Sequence, residues 1–205
     1  MAVVYRAELH PSKLDLINAW LPGRSWFQGP VGAPVDRVAA CRFDDPAGEV
    51  GVEIILVRAT EGPVYHVPLT YRGAPLPGGE ANLLGTSEHS VLGTRWIYDA
   101  VGDPVYAAVL AAAIVSGGTE AEEYVEDEHG QQQRREPSMT VRGRGLPGAV
   151  AARITVVREV VDGDPARVVT DGAELHVVRV VGTPVEGATL TATWPGATPT
   201  ALASL

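Results

Sequence analysis

Apolar and polar residues alternate over positions 3–9, a period of two that predicts a strand, and the period then changes. From Ser12 onward, Leu14, Ile17 and Leu21 fall on one stripe backed by Leu16 and Trp20, which is helical spacing. Ser12, with Asp15 three positions later, reads as the cap of this helix, and Pro22-Gly23 as its end. Three strands are predicted next, over 35–43, 50–59 and 64–71. The runs between them, Asp44-Asp45-Pro46-Ala47-Gly48 and Thr60-Glu61-Gly62-Pro63, are turn-forming and short, so the strands should pair as an antiparallel meander. A Gly/Pro-rich loop over 73–79 precedes a further strand over 94–98. Asp103 before Pro104 marks a second helix start, and the alanine-rich apolar run 105–115 carries it to Gly117-Gly118. So apolar a helix should lie against the sheet.

Over 116–140 the pattern breaks. This stretch is charged, holds three consecutive glutamines and has almost no apolar periodicity, so it reads as an exposed linker or mobile loop. Beyond it come only strands and turns: 151–161, 166–170, 174–181 and 188–194, with Asp162-Gly163-Asp164 and Asp171-Gly172 as hairpin signals. The pattern predicts an α+β protein in three stretches: an α+β unit over 1–115, a linker over 116–140, and a small antiparallel β unit over 141–205.

Composition narrows the functional classes. A chain of 205 residues can bury a real core without staples. Its net charge of -9, with no Lys/Arg cluster, excludes the phosphate-neutralising surface that nucleic-acid binding needs. Lys13 is the sole lysine and Cys41 the sole cysteine, which removes intramolecular disulfides and cysteine-based metal sites. No stretch approaches eighteen apolar residues, and the first residues do not pair a basic region with an apolar run; the expectation is a cytoplasmic protein without a membrane segment.

Motifs with chemical potential are few. Gly143-Arg144-Gly145-Leu146-Pro147-Gly148-Ala149-Val150 matches the GxGxxGxV loop of protein kinases. That loop needs a lysine on a nearby strand and a later lobe with catalytic Asp and Asn; no lysine follows Lys13, and too little chain remains for the lobe. The segment is therefore read as a structural Gly/Pro loop. His10, His66, His89, His129 and His176 stand far apart and show no metal-ligand spacing, so no metal or other cofactor is expected. Asp44-Asp45 reads as turn chemistry. Residues 85–90 combine hydroxyl, carboxylate and imidazole, but neighbouring side chains diverge, and a polar turn is the simpler reading. Trp20, Trp26 and Phe27 bracket the first helix end, where aromatic residues plug small cores.

Taken together, several of these runs resemble a known family. Trp20-Leu21-Pro22-Gly23-Arg24-Ser25-Trp26-Phe27-Gln28-Gly29 is similar to the WLPxQRWFxGKGR segment in the N-terminal cap of maltokinases and related glucosamine kinases. YHVPLTY, starting at Tyr65, resembles their YxVPLxY strand. Tyr98-Asp99 followed by Gly102-Asp103-Pro104-Val105-Tyr106 resembles DGxxDPxY at the last cap helix. The resemblance spans about residues 1–115. It implies a curved antiparallel sheet packed on helices, cystatin-like, followed by a small β subdomain similar to part of a kinase N-lobe. Asp171 to Arg179 is similar to the lobe strand xxELILKVFR, and the aligned lysine position is Val178. Ser25 replaces the family's arginine, and Gly29-Pro30-Val31-Gly32 replaces GKGR. His129-Gly130-Gln131 lacks the Asp of a catalytic HGD.

The chain best fits the stand-alone maltokinase cap-like proteins, which the resemblance links to trehalose, maltose and glucan metabolism. The expected function is a non-catalytic binding or regulatory module acting through a sugar-metabolic enzyme, or on carbohydrate itself. For a ligand site, the expectation gathers His66, Tyr71, Arg72, Glu88, His89, Arg95 and Trp96, which offer aromatic stacking and bidentate hydrogen bonding. Two alternatives stand beside it: an accessory subunit of a sugar kinase, and a glucan-acting enzyme using Glu88, Asp99 and Glu53 as carboxylates.

Overall fold

The computed structural model describes the chain except residues 1, 5–8, 31, 61, 127–131 and 146–148. Its strands in chain order are β1 (Ala2–Val4), β2 (Leu9–His10), β3 (Val35–Phe43), β4 (Gly51–Ala59), β5 (Val64–Arg72), β6 (Leu83–His89), β7 (Gly93–Asp99), β8 (Glu123–Glu126), β9 (Gln132–Arg135), β10 (Thr140–Gly143), β11 (Val157–Val161), β12 (Ala166–Thr170), β13 (Glu174–Val177), β14 (Thr189–Thr193) and β15 (Thr200–Ser204). The helices are α1 (Lys13–Trp20) and α2 (Pro104–Ser116).

The first sheet has the order β2-β6-β7-β5-β4-β3, and every pairing in it is antiparallel. The three predicted central strands are there as a meander, held by the turns read from the sequence. In the first turn, Asp45 accepts the N–H groups of Ala47, Glu49 and Val50, which is the expected turn chemistry. Bulges between Arg37 and Ala39, and between Leu83 and Gly85, bend its outer strands. One face carries α1, whose Leu16 and Ile17, with Leu21 just after it, join Trp26, Ile55, Tyr65, Leu69 and Ile97 in a core. Ser12 and Asp15 form the predicted capping box.

The opposite face shares a second core with α2 and with another antiparallel sheet, ordered β10-β14-β15-β13-β12-β11. Asp103 caps α2 with its side chain, Pro104 occupies the first turn, and Gly117 closes it in the left-handed conformation at φ 71°. Leu110 and Ile114 of α2 lie in one cluster with Ile54 and Leu56 of the first sheet and with Val141, Leu190 and Leu202 of the second. The two predicted units thus share a core.

Backbone hydrogen bonds also stitch the sheets together. β7 pairs only with Leu69–Arg72 of β5, so the earlier part of β5 needs another neighbour. Residues 178–181 supply it: His66 N–H donates to Arg179 O at 2.8 Å, and Val181 N–H donates to Val64 O at 2.8 Å. This is why the predicted strand 174–181 leaves its own sheet after Val178, whose N–H still donates to Leu202 O of β15 at 2.9 Å.

The stretch 116–140 is a correction to the linker expectation. It contains β8 and β9, which form a small sheet with β1, and β1 and β8 run parallel there. Ala121 and Glu123 are buried, and Ala121 N–H donates to Arg42 O at the edge of β3. Part of this stretch, 127–131 with His129, lies outside the described residues.

Candidate functional site

The seven residues gathered from the sequence divide between the two faces of the first sheet. Trp96 stands opposite Arg72 and Thr86, with Glu88 one rung along on the same face, whereas Tyr71, Arg95 and His89 alternate onto the other. Arg72 makes a bidentate pair with Asp103, both bonds 2.7 Å, and so braces the α2 cap. Tyr71 donates to Glu53 at 2.7 Å. Thr94 donates to Glu88, His89 Nδ1 accepts the N–H groups of Val91 and Leu92, and Arg95 donates to Leu92 O. His66 is enclosed between β5 and the second sheet, so it is out of reach of a ligand arriving from solvent.

His66 belongs to a buried polar junction that joins the sheets. Its Nδ1 lies 2.8 Å from Val178 O, and donates there, since a carbonyl only accepts. Burial, followed by the charge of Arg179, pushes its pKa down to about 3. Arg179 is fully buried and forms a two-pronged ion pair with Asp99, with bonds of 3.0 and 2.6 Å. Its guanidinium also lies 5.3 Å from the Trp26 ring centre. Asp164 accepts the backbone N–H groups of Arg179 and Val180 and the hydroxyl of Thr183, fixing the segment that runs along β5. Nearby, the buried Tyr106 hydroxyl has its pKa raised, by burial first. Sequence reading missed Arg179 as a central residue because it sits in an apolar run and carries no motif.

A second cluster surrounds Glu53 on the α1 face. Burial pushes its carboxyl up, but the charges of Lys13 and Arg42 with hydrogen bonds from Lys13 and Tyr71 outweigh burial, and the net shift is downward. Lys13 Nζ reaches both Glu53 oxygens at 2.8 Å, while Arg42 lies 3.8 Å away. Beside this pair opens a cavity of about 50 Å³, lined among others by Lys13, Arg37, Arg42, Arg135, Glu53 and Glu123. Ser138 closes one side, its hydroxyl bonded to both N–H and C=O of Ala40 on the β3 edge. No sequence motif announced this place, because its residues come from α1, β3, β4, β8 and β9.

Of the carboxylates considered for glycoside chemistry, Asp99 and Glu53 are buried in ion pairs and only Glu88 is exposed. Two glycines of the GxGxxGxV run have a packing reason. A Cβ on Gly143 would overlap Ala113 O, and one on Gly145 would sit 2.5 Å from Val115 O, because this chain crosses the last turn of α2 backbone to backbone. Gly145 N–H donates to Ile114 O at 2.8 Å. Residues 146–148, with the third glycine, lie outside the described residues. Among the described residues, no three His, Cys, Asp or Glu side chains group as metal ligands, and no helix is long and apolar enough to cross a membrane.

In comparison with protein families, residues 20–103 fit the family model of the maltokinase N-terminal cap domain, a span from the end of α1 to the cap of α2. No curated protein matches the chain.

Proposed function

Taking residues 20–103 as a maltokinase N-terminal cap domain, we propose that this chain is a non-catalytic, regulatory binding module of maltose and trehalose metabolism that acts in the cytoplasm through a partner enzyme. In this reading the first sheet with its helices is the cystatin-like cap, and the second sheet stands where the kinases carry the strands of their small lobe. The observation that carries the reading is at Val178, where the resemblance aligns the nucleotide-site lysine. Val178 is an apolar side chain wholly buried in the junction, and the adjacent Arg179 is committed to Asp99. Phosphoryl transfer needs positioned positive charge and carboxylates free to hold metal. Here the buried carboxylates Glu53, Asp99 and Asp103 each neutralise a cation within the fold.

The test is affinity capture of partners from native cytoplasm with the full chain as bait, alongside turnover and nucleotide-binding assays of the purified chain. The expected result is reproducible recovery of an enzyme acting on maltose, trehalose or glucan, with no turnover and no ATP binding by the chain alone. Repeated capture without such an enzyme, or turnover of a sugar or nucleotide unaided, overturns the proposal.

A further inference from the structure

The Glu53 cavity concentrates positive charge in a chain that is strongly acidic overall. Lys13, Arg37, Arg42 and Arg135 face it, against the carboxylates of Glu53 and Glu123, while the whole chain carries -9. Glu53 is already neutralised by Lys13 and accepts a hydrogen bond from the Tyr71 hydroxyl. Among the described residues, no hydrogen bond or ion pair engages the side chains of Arg37 or Arg135. With Lys13 engaged by Glu53, the three guanidinium groups outnumber the one remaining carboxylate, Glu123, and cations in excess repel one another, at a cost that a bound anion would remove. The cavity, at about 50 Å³, exceeds the room that one water needs and suits a group with few atoms.

We propose that this cavity is a binding site for a phosphate-class oxyanion, either free phosphate or the phosphoryl group of a sugar phosphate. Arg37 and Arg135 supply unspent guanidinium donors, whose fork geometry matches phosphate oxygens. Arg42 adds charge from the side, and Lys13 holds Glu53 so that its carboxylate does not oppose the guest. The walls come from the β3 edge and the β8–β9 stretch, which Ala121 and Ser138 already tie together, so an anion there would add a further link between the two. The site is independent of the partner reading: a capture experiment can fail while anion binding succeeds, and the reverse.

The experiment is calorimetric titration of the full chain with inorganic phosphate, glucose 6-phosphate and glucose, each at matched ionic strength in chloride, together with thermal unfolding. Saturable binding of a phosphate probe is expected, with Tm raised by about 3–6 °C at a concentration tenfold above Kd. Arg37 and Arg135 are exposed, so the double variant R37A/R135A should fold, and its affinity should fall at least about tenfold. Tighter binding of glucose 6-phosphate than of phosphate identifies a sugar phosphate as the guest, and equal binding identifies the free ion. Absence of binding by both phosphate probes, binding of glucose equal to that of its phosphate, or undiminished binding in the double variant overturns the proposal.

Discussion

Asparagine in place of Asp99 leaves the shape of the side chain and deletes its charge. Arg179 would then keep a fully buried guanidinium whose two contacts, now 3.0 and 2.6 Å from a carboxylate, face a neutral amide. Breaking a buried pair from one side costs about 3–5 kcal/mol, because the remaining charge stays desolvated. For a chain of this length that cost corresponds to a fall in Tm of about 6–20 °C. The Trp26 ring, 5.3 Å from the guanidinium, contributes about 0.5–2 kcal/mol of cation–π attraction in either variant, so it cancels from the difference. The assay is urea unfolding followed by far-UV circular dichroism and by tryptophan fluorescence, with midpoints compared at constant slope. Because Asp99 closes the first sheet and Arg179 leads out of the second, both probes should move together. The double replacement D99L/R179M removes the pair as a unit and should recover most of the loss, to within about 1 kcal/mol of the parent. A D99N cost below about 1 kcal/mol, or a D99L/R179M variant as unstable as the sum of D99L and R179M, would refute the assignment of the pair as the clasp between sheets.

Three further outcomes follow from the same geometry. His66 has a folded pKa of about 3 against an ordinary 6.5, so between these values the unfolded chain binds a proton that the folded chain refuses. Its contribution is complete above pH 6.5 and drains away as pH falls toward 3, about 1.4 kcal/mol per unit and about 4–5 kcal/mol in all. The variant H66N keeps a donor toward Val178 O and should lose this slope; urea midpoints at pH 7, 5.5 and 4 check it, and equal slopes would sink it. Replacing Lys13 by Met leaves the buried Glu53 with Tyr71 and a distant Arg42, and should cost about 2–4 kcal/mol at neutral pH. Because the native Glu53 pKa is lowered, that penalty is present above the ordinary carboxylate range and shrinks as pH falls through it, which parallel melts at pH 7 and 4 would reveal. Alanine at Gly143 meets the Ala113 carbonyl and should destabilise by about 2–3 kcal/mol, measured by Tm; an unchanged Tm would mean that the crossing is looser than described.

How much of this was legible depends on what each residue packs against. The caps at Ser12 and Asp103 and the strands β3, β4 and β5 follow from local chemistry, and they stand where the sequence placed them. β6 was not read as a strand, because its residues are half-exposed and polar and its Gly85 looks like a turn. A Cβ on that glycine would lie 2.8 Å from a Leu16 methyl of α1, so a larger residue would displace that side chain. β15, central in the second sheet, hides in a short run of Ala, Thr and Leu between turn formers at the end of the chain. The predicted strand over 151–161 is regular only from Val157, since the preceding residues bond to Asp171 rather than to a neighbouring strand. The candidate ligand residues were grouped by type, yet alternation along β5, β6 and β7 sends them to opposite faces. The cation-lined cavity assembles from positions nearly the length of a domain apart, which no window along the chain contains.

The run 178–181 acts as a borrowed lath for the front sheet. A fragment that stopped before it would present the N–H of His66 and the carbonyl of Val64 to water along an unfilled seam, with the bare flank of α2 beside it. Such a seam accepts any extended peptide, so truncated versions should clump or pair with one another rather than stay monomeric. The front portion alone is thus an unfinished object, and assays of its behaviour belong on the intact polypeptide.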